Sequence, residues 1–193
     1  MCAAVVLGLV LISCTSVRQR EVAKTIHRNP SDLHAGLRRA LHLPKVAAGG
    51  RCPTTQGMSR PTAAFSETLG EGPVRPVLIR DGRFSYKAPT GSNADPFPSS
   101  TWGGGKVLWA IGPEITSDVL IRGHQIDGAG DIRFGMAPDP DVELILPNAI
   151  AGPKPDSAGW RGIPSEVRIE HRGCYAFQID TASTIVVVSA TPA

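Results

Sequence analysis

Two histidines, a group of aspartates, four cysteines and two loop tryptophans carry what chemistry this chain can offer. His124 and Asp127 sit three apart in the run GHQIDG, His171 lies elsewhere, and serines and threonines are plentiful. A Ser/His/Asp unit can assemble from such residues, because these units are defined by geometry and not by chain order. The plainer reading makes His124 an outward strand residue and Asp127-Gly128 a turn. Asp127, Asp131, Asp139 and Asp141 are a possible oxygen set for Ca²⁺, which favours carboxylates from flexible loops. Their spacing matches no EF-hand loop, however, and aspartate in Gly/Pro turns is ordinary turn chemistry. No metal ligand and no cofactor is therefore assigned. Gly103-Gly104-Gly105-Lys106 looks superficially like a phosphate cradle, but it lacks the leading glycine and the hydroxyl after lysine, and it precedes a strand pattern. There is no CxxC, HExxH, GxSxG or SxxK motif. Trp102 and Trp160 each lie in a glycine-flanked loop, and an exposed indole there offers a flat face to a sugar or peptide. The alternative is that each folds back to plug one end of the fold.

Those residues must be positioned by short strands. With 21 glycines and 17 prolines in 193 residues, long helices are disfavoured and many strands with tight turns are expected. The hairpin near the C-terminus is the clearest signal. Residues 173–180 alternate, with Tyr175, Phe177 and Ile179 on one face and Cys174, Ala176 and Gln178 on the other. Residues 184–190 are apolar and β-branched, as in a strand covered on both faces. Further strands are predicted at 74–80, 83–86, 106–111, 119–126, 131–134, 142–146 and 165–170. Asp81-Gly82 should form a two-residue hairpin turn, and Val107, Trp109 and Ile111 should share one face. Arg168 falls on the wet face of its strand. About eight or nine strands at this spacing predict an all-β antiparallel sandwich over 51–193.

Two segments precede it. Residues 3–12 form an apolar run too short to span a bilayer, and it fits the core of a secretory signal. No Lys or Arg precedes this run, although export signals normally open with positive charge. The run ends in Leu-Ile-Ser-Cys at 11–14, which resembles the lipobox of bacterial lipoproteins. That resemblance implies cleavage after residue 13 and acylation of Cys14. A signal cleaved elsewhere, without lipid, is the alternative. Residues 15–50 read as a basic linker in which Leu33, Leu37 and Leu41 mark one face of a short helix. Residues 17–51 hold eight Lys/Arg and two acids, net +6, and residues 52–193 hold twelve and fifteen, net −3. Positive charge belongs to the arm and not to the folded body, which argues against a nucleic-acid-reading domain.

The pieces LHLP at 41–44, CP at 52–53, WGGGKVLW at 102–109, VLIRGHQIDG at 119–128 and GCYAFQID at 173–180 resemble a group of uncharacterised secreted bacterial proteins. Their domain is immunoglobulin-like. The resemblance implies export and a β-sandwich, and it transfers no catalytic residue. Export in turn constrains the cysteines. Cys2 and Cys14 belong to leader or anchor, so Cys174 has Cys52 as its partner in an oxidising compartment. With Tyr175 facing the core, the Cys52–Cys174 bridge is expected on the outside of the sheet. The expected function is that of an exported, lipid-anchored envelope module that binds an envelope protein or glycan or serves structurally. A small secreted hydrolase built on His124 and Asp127 is the alternative.

Overall fold

The computed structural model describes residues 34–193 apart from 48, 78, 91, 93–94, 98–99 and 149–153. Cys14, the apolar run and the first leucine of the expected helix lie outside the described residues. Where that helix was expected, the chain makes a single 3₁₀ turn, Ala35–Leu37. Gly36 lies inside it and Pro44 follows soon after, and a helix this short gains too few bonds to offset its nucleation.

The rest is all β. Eleven strands form two sheets: β1 (Met58–Ser59), β2 (Thr68–Leu69), β3 (Val74–Val77), β4 (Arg83–Tyr86), β5 (Gly103–Ile111), β6 (Val119–Gln125), β7 (Arg133–Phe134), β8 (Leu144–Leu146), β9 (Arg161–Ile169), β10 (Gly173–Ile179) and β11 (Thr184–Pro192). One sheet runs β1-β2-β3-β5-β9-β7 and the other β4-β11-β10-β6-β8. Pairing is antiparallel except between β4 and β11, which run parallel. The two-residue strands β1 and β2 arise in a Pro/Gly/Ser/Thr-rich stretch that carries no alternation to announce them.

The turn at Asp81-Gly82 forms as its residues dictate. Both have positive φ, 51° and 67°, and Arg83 N donates to Arg80 O at 2.8 Å. The strands on either side do not make a hairpin, however. β3 joins one sheet and β4 the other, so the turn carries the chain across the core.

Between the sheets, Val107, Trp109 and Ile111 from β5 meet Tyr175, Phe177 and Ile179 from β10, all at most 1% exposed. The Trp109 and Phe177 rings pack edge to face with centroids 5.8 Å apart. Trp109 Nε1 donates to Ser165 Oγ at 2.9 Å, which satisfies the indole that burial would otherwise strand.

The outer face of β10 is buried as well. Cys174, Ala176 and Val187 pack against Leu43, Val46 and Cys52, because residues 34–47 and 49–56 run across this sheet as a strap. Cys52 and Cys174 form a disulfide with Cα atoms 5.4 Å apart, and it lies on the face away from the Tyr175 core. Backbone and side-chain bonds extend the attachment. Val46 N donates to Ile126 O at 3.1 Å and Thr55 N to Val187 O at 2.9 Å. His42 N donates to Gln178 Oε1 at 2.8 Å. At the start of the strap, Arg38 forks onto Glu143 at 2.8 and 2.6 Å, and His34 Nε2 lies 2.9 Å from Asp118 Oδ2. Among the described residues, Arg38 is thus the arm's cation with an ion-pair partner on the fold.

Candidate functional site

Arg168 braces the residues around one of the depressions on the surface. Alternation along β9 does turn it away from the core, but two loops close over it and leave it 0% exposed. Its guanidinium donates to Gly103 O at 3.2 Å, Gly135 O at 2.9 Å and Ala137 O at 3.1 Å. It also donates to Ser100 Oγ at 2.9 Å and Trp102 O at 2.8 Å. The Phe97 ring lies 3.7 Å from its central carbon, a cation–π stack. Burial pushes its pKa below the usual arginine value, partly offset by Glu166. Neutral acceptors and an aromatic face thus hold this cation in place of a paired carboxylate.

The glycine run is explained by this arginine. Gly104 faces Arg168 across the β5–β9 ladder, and a Cβ there would lie 2.8 Å from Arg168 Cδ and 2.9 Å from Phe97 Cε2. A Cβ on Gly103 would lie 2.5 Å from Lys87 O, where the chain after β4 bridges to Gly104. The three glycines therefore lie inside β5 as a close-approach surface and cradle no phosphate.

Beside them opens a groove of about 390 Å³. Gly104, Gly105 and Ala193 line it, and Tyr86, Phe97 and the exposed Met136 give it apolar walls. Lys87 and Lys106 stand at its rim with Glu166 beside them. Arg168 builds this groove indirectly, since it stacks on Phe97 and binds the carbonyls on both sides of Met136.

His124 finds a carboxylate, but not Asp127. Its Nδ1 lies 2.6 Å from Asp131 Oδ1, and Arg133 Nη2 donates to Asp131 Oδ2 at 3.1 Å. Asp127 is occupied elsewhere: its Oδ1 accepts from Cys174 N and Gln125 Nε2, both at 2.9 Å. His124 and Asp131 line a groove of about 270 Å³ with Arg122, Arg133, Val142 and Glu143, and no Ser, Thr or Cys side chain borders it among the described residues. His171 is not brought near. It is exposed, and its carbonyl accepts the Tyr175 hydroxyl at 2.7 Å. The four aspartates do not converge either. Among the described residues, no three His, Cys, Asp or Glu side chains are placed to share a metal ion.

The two loop tryptophans are held apart. Trp102 immediately precedes the Gly103↔Ile169 rung and Trp160 the Arg161↔Ile111 rung, so they flank opposite ends of one ladder, about 26 Å apart at 3.3 Å per residue. Both are partly buried. Arg133 sits 5.5 Å from the Trp102 ring centroid. Arg75 sits 5.0 Å from the Trp160 ring, and Phe65 packs edge-on against it. Asp156 locks the Trp160 loop by accepting from Ala158 N and Trp160 N at 3.0 and 2.9 Å. One ligand the size of a disaccharide cannot reach both indoles. Trp102 stands behind the Phe97 and Lys87 wall of the Met136 groove without lining it.

Comparison with family models, with curated proteins and with solved structures returns no match for this chain.

Proposed function

We propose that this protein is an exported module of the cell envelope, an immunoglobulin-like β-sandwich held to the membrane by an acylated Cys14. Its role is to bind an envelope protein or glycan, or to brace one, without turnover. The observation that carries this reading is the Cys52–Cys174 cross-link, with Cα atoms 5.4 Å apart. Disulfides of this kind persist in oxidising compartments and are rare in the cytosol. Each buried methylene of an acyl chain adds about 0.8 kcal/mol of membrane binding, and stable anchoring takes two such signals. The basic arm would supplement the lipid at an anionic surface.

Expression of the full chain in a bacterium, fractionation and intact-mass measurement test the proposal. A membrane-bound product that begins at acylated Cys14 and carries no free thiol at 52 or 174 is expected, and Cys14→Ser should release it. A cytosolic product with all four cysteines reduced would overturn it.

A second reading rests on the 2.6 Å contact between His124 and Asp131, the orienting half of a hydrolytic unit. It replaces Asp127 with Asp131 as the carboxylate and needs a nucleophile from outside the groove lining. Ester or amide turnover that disappears in His124→Ala would favour it over the binding role.

A further inference from the structure

The outer face of the strap-covered sheet carries a charge imbalance. Arg39, Lys45 and Arg51 of the strap and Arg83 of β4 are exposed, and among the described residues none of them forms an ion pair. They share one side of the molecule. Arg83 lies beside Ser189, and Ser189 beside Cys174, whose disulfide to Cys52 brings in Arg51. Val46 N donates to Ile126 O, which sets Lys45 just beyond the end of β6, and Arg39 donates to Ser183 Oγ at the β10–β11 turn. The carboxylates of this side are spent: Glu143 on Arg38, Asp180 on Arg122, Asp131 on Arg133, and Asp118 on His34 and Arg161. Among the described residues, the acids left at its margin are Asp127 and Glu71, the latter beside the Gly72 that packs on Thr184. Further out, Arg80 offsets Asp81, Arg172 offsets Glu170, and Lys87 offsets the Ala193 carboxylate in the groove they share. Four cations against two acids leave an excess of two positive charges.

Apolar side chains stand among those cations. Four large hydrophobic residues are exposed among the described residues, and two of them, Leu41 at 37% and Ile185 at 36%, lie on this side. Ile185 and Arg39 line one hollow of about 130 Å³ with Ala40 and His42, and Leu41 falls between those last two in the chain. We propose that this face lies against an anionic lipid surface, with Arg39, Lys45, Arg51 and Arg83 at the headgroups and Leu41 and Ile185 inserted among them. Apolar residues interspersed with cations suit the headgroup boundary. A soluble polyanion would meet the charges and leave the apolar groups in water. The disulfide and the Val46 bond pin the strap, so its cations are in place before contact and little ordering opposes binding. The inference rests on the envelope reading and adds an orientation to it: the β5-containing sheet, with the Met136 groove, faces away from the membrane.

Lysine footprinting reads the contact directly, because Lys45 lies on this face while Lys106 and Lys154 lie off it and are equally exposed to a reagent. The full chain, made as Cys14→Ser so that it carries no lipid, is mixed with phosphatidylcholine vesicles with or without phosphatidylglycerol, then treated with an amine-reactive reagent and read by mass spectrometry. Phosphatidylglycerol should slow labelling of Lys45 several-fold and leave Lys106 and Lys154 unchanged. Lys45→Gln with Arg51→Gln should lower binding to the anionic vesicles about twentyfold, at roughly fivefold per cation, with melting temperature unchanged. Lys106→Gln with Lys154→Gln removes the same charge and should change binding by less than about twofold, since charges beyond about 10 Å from the lipid are screened. Leu41→Ser with Ile185→Ser should weaken binding about tenfold. Equal protection of Lys106, equal losses in the two charge variants, or equal binding to both vesicles would each overturn the proposal. So would protection of Lys45 by soluble polyglutamate as strong as by vesicles, with no effect of the serine variants, which would assign the face to an anionic polymer. Failure here leaves acylation of the native chain standing, and an unacylated native chain would leave this face standing.

Discussion

Replacing Arg168 by methionine keeps most of the side-chain volume and removes five donated hydrogen bonds at once. The acceptors left behind are four backbone carbonyls, at Gly103, Trp102, Gly135 and Ala137, and the Ser100 hydroxyl. A stranded buried polar group costs about 1–3 kcal/mol. Against that runs the relief of no longer burying a cation, itself several kcal/mol. Carbonyls close to a groove can also recover water, so the lower end of each cost applies. Five acceptors at that lower end come to about 5 kcal/mol, and the relief leaves roughly 2 kcal/mol of lost stability, or about 4–8 °C in Tm for a chain of this size. Arg168→Lys keeps the charge but offers three donors without the planar fork or the stack on Phe97, and should cost about 2 kcal/mol. Denaturant melts at fixed pH give both numbers, and the Met136 methyl signal reports whether the 135–137 loop has moved. If Arg168→Met costs less than about 1 kcal/mol, or Arg168→Lys is indistinguishable from the native protein, the guanidinium is not the brace described here.

Two pH effects follow from groups the fold has displaced from their ordinary pKa. The bond from Arg38 lowers the pKa of Glu143 below 4.5, and that of Asp118 is held below 3.8 by the Asn148 backbone N–H and then by His34. Depressed carboxylates contribute stability above their unfolded pKa and lose it as pH falls through the folded one. Acid melting should therefore begin below about pH 4.5, and Arg38→Gln should remove about 1 kcal/mol above that pH and make the acid limb shallower. An unchanged acid limb would sink the assignment. Both tyrosines, the only two in the chain, have pKa values raised above 10.0, chiefly by burial. Their contribution is complete below pH 10 and lost as pH rises through the folded values. Absorbance at 295 nm should thus stay flat near pH 10 and rise only as the protein unfolds, and a midpoint near 10 in the folded state would refute their burial.

What the sequence reveals here depends on whether a signal is about a strand or about what covers it. Alternation in β10 correctly separates the core-facing Tyr175, Phe177 and Ile179 from Cys174, and with it comes the external disulfide. The same rule applied to β9 turns Arg168 outward correctly and still fails to predict its burial, because periodicity says nothing about Phe97, residues 100–102 and residues 135–137 closing over it. A turn signal has a similar reach. Asp81-Gly82 specifies positive φ at two residues, and nothing in it says whether the strands it joins share a sheet. The partner of His124 was within reach of the sequence. With Asp127-Gly128 taken as a turn, Gln125 N bonds to Gly130 O at 2.8 Å, and the returning chain sets Asp131 opposite His124. Nearness along the chain favoured Asp127, whose carboxylate is already spent on Cys174 N.

The position of the groove follows from the same covering layers. On the outer face of the six-stranded sheet, successive β5–β9 rungs place Gly104 against Arg168, Lys106 against Glu166, Leu108 against Pro164 and Ala110 against Gly162. Phe97 and its loop close the first rung. Phe65 and Trp160 close the last, packing on Ala110 and Leu108. Each lid needs small residues beneath it, glycine at 104 and alanine with glycine at 110 and 162, because an aromatic ring and a strand surface cannot both keep large side chains. The middle of the ladder bears long charged residues, which no lid can cover without desolvating them. That stretch stays open, bounded by an aromatic wall on one side.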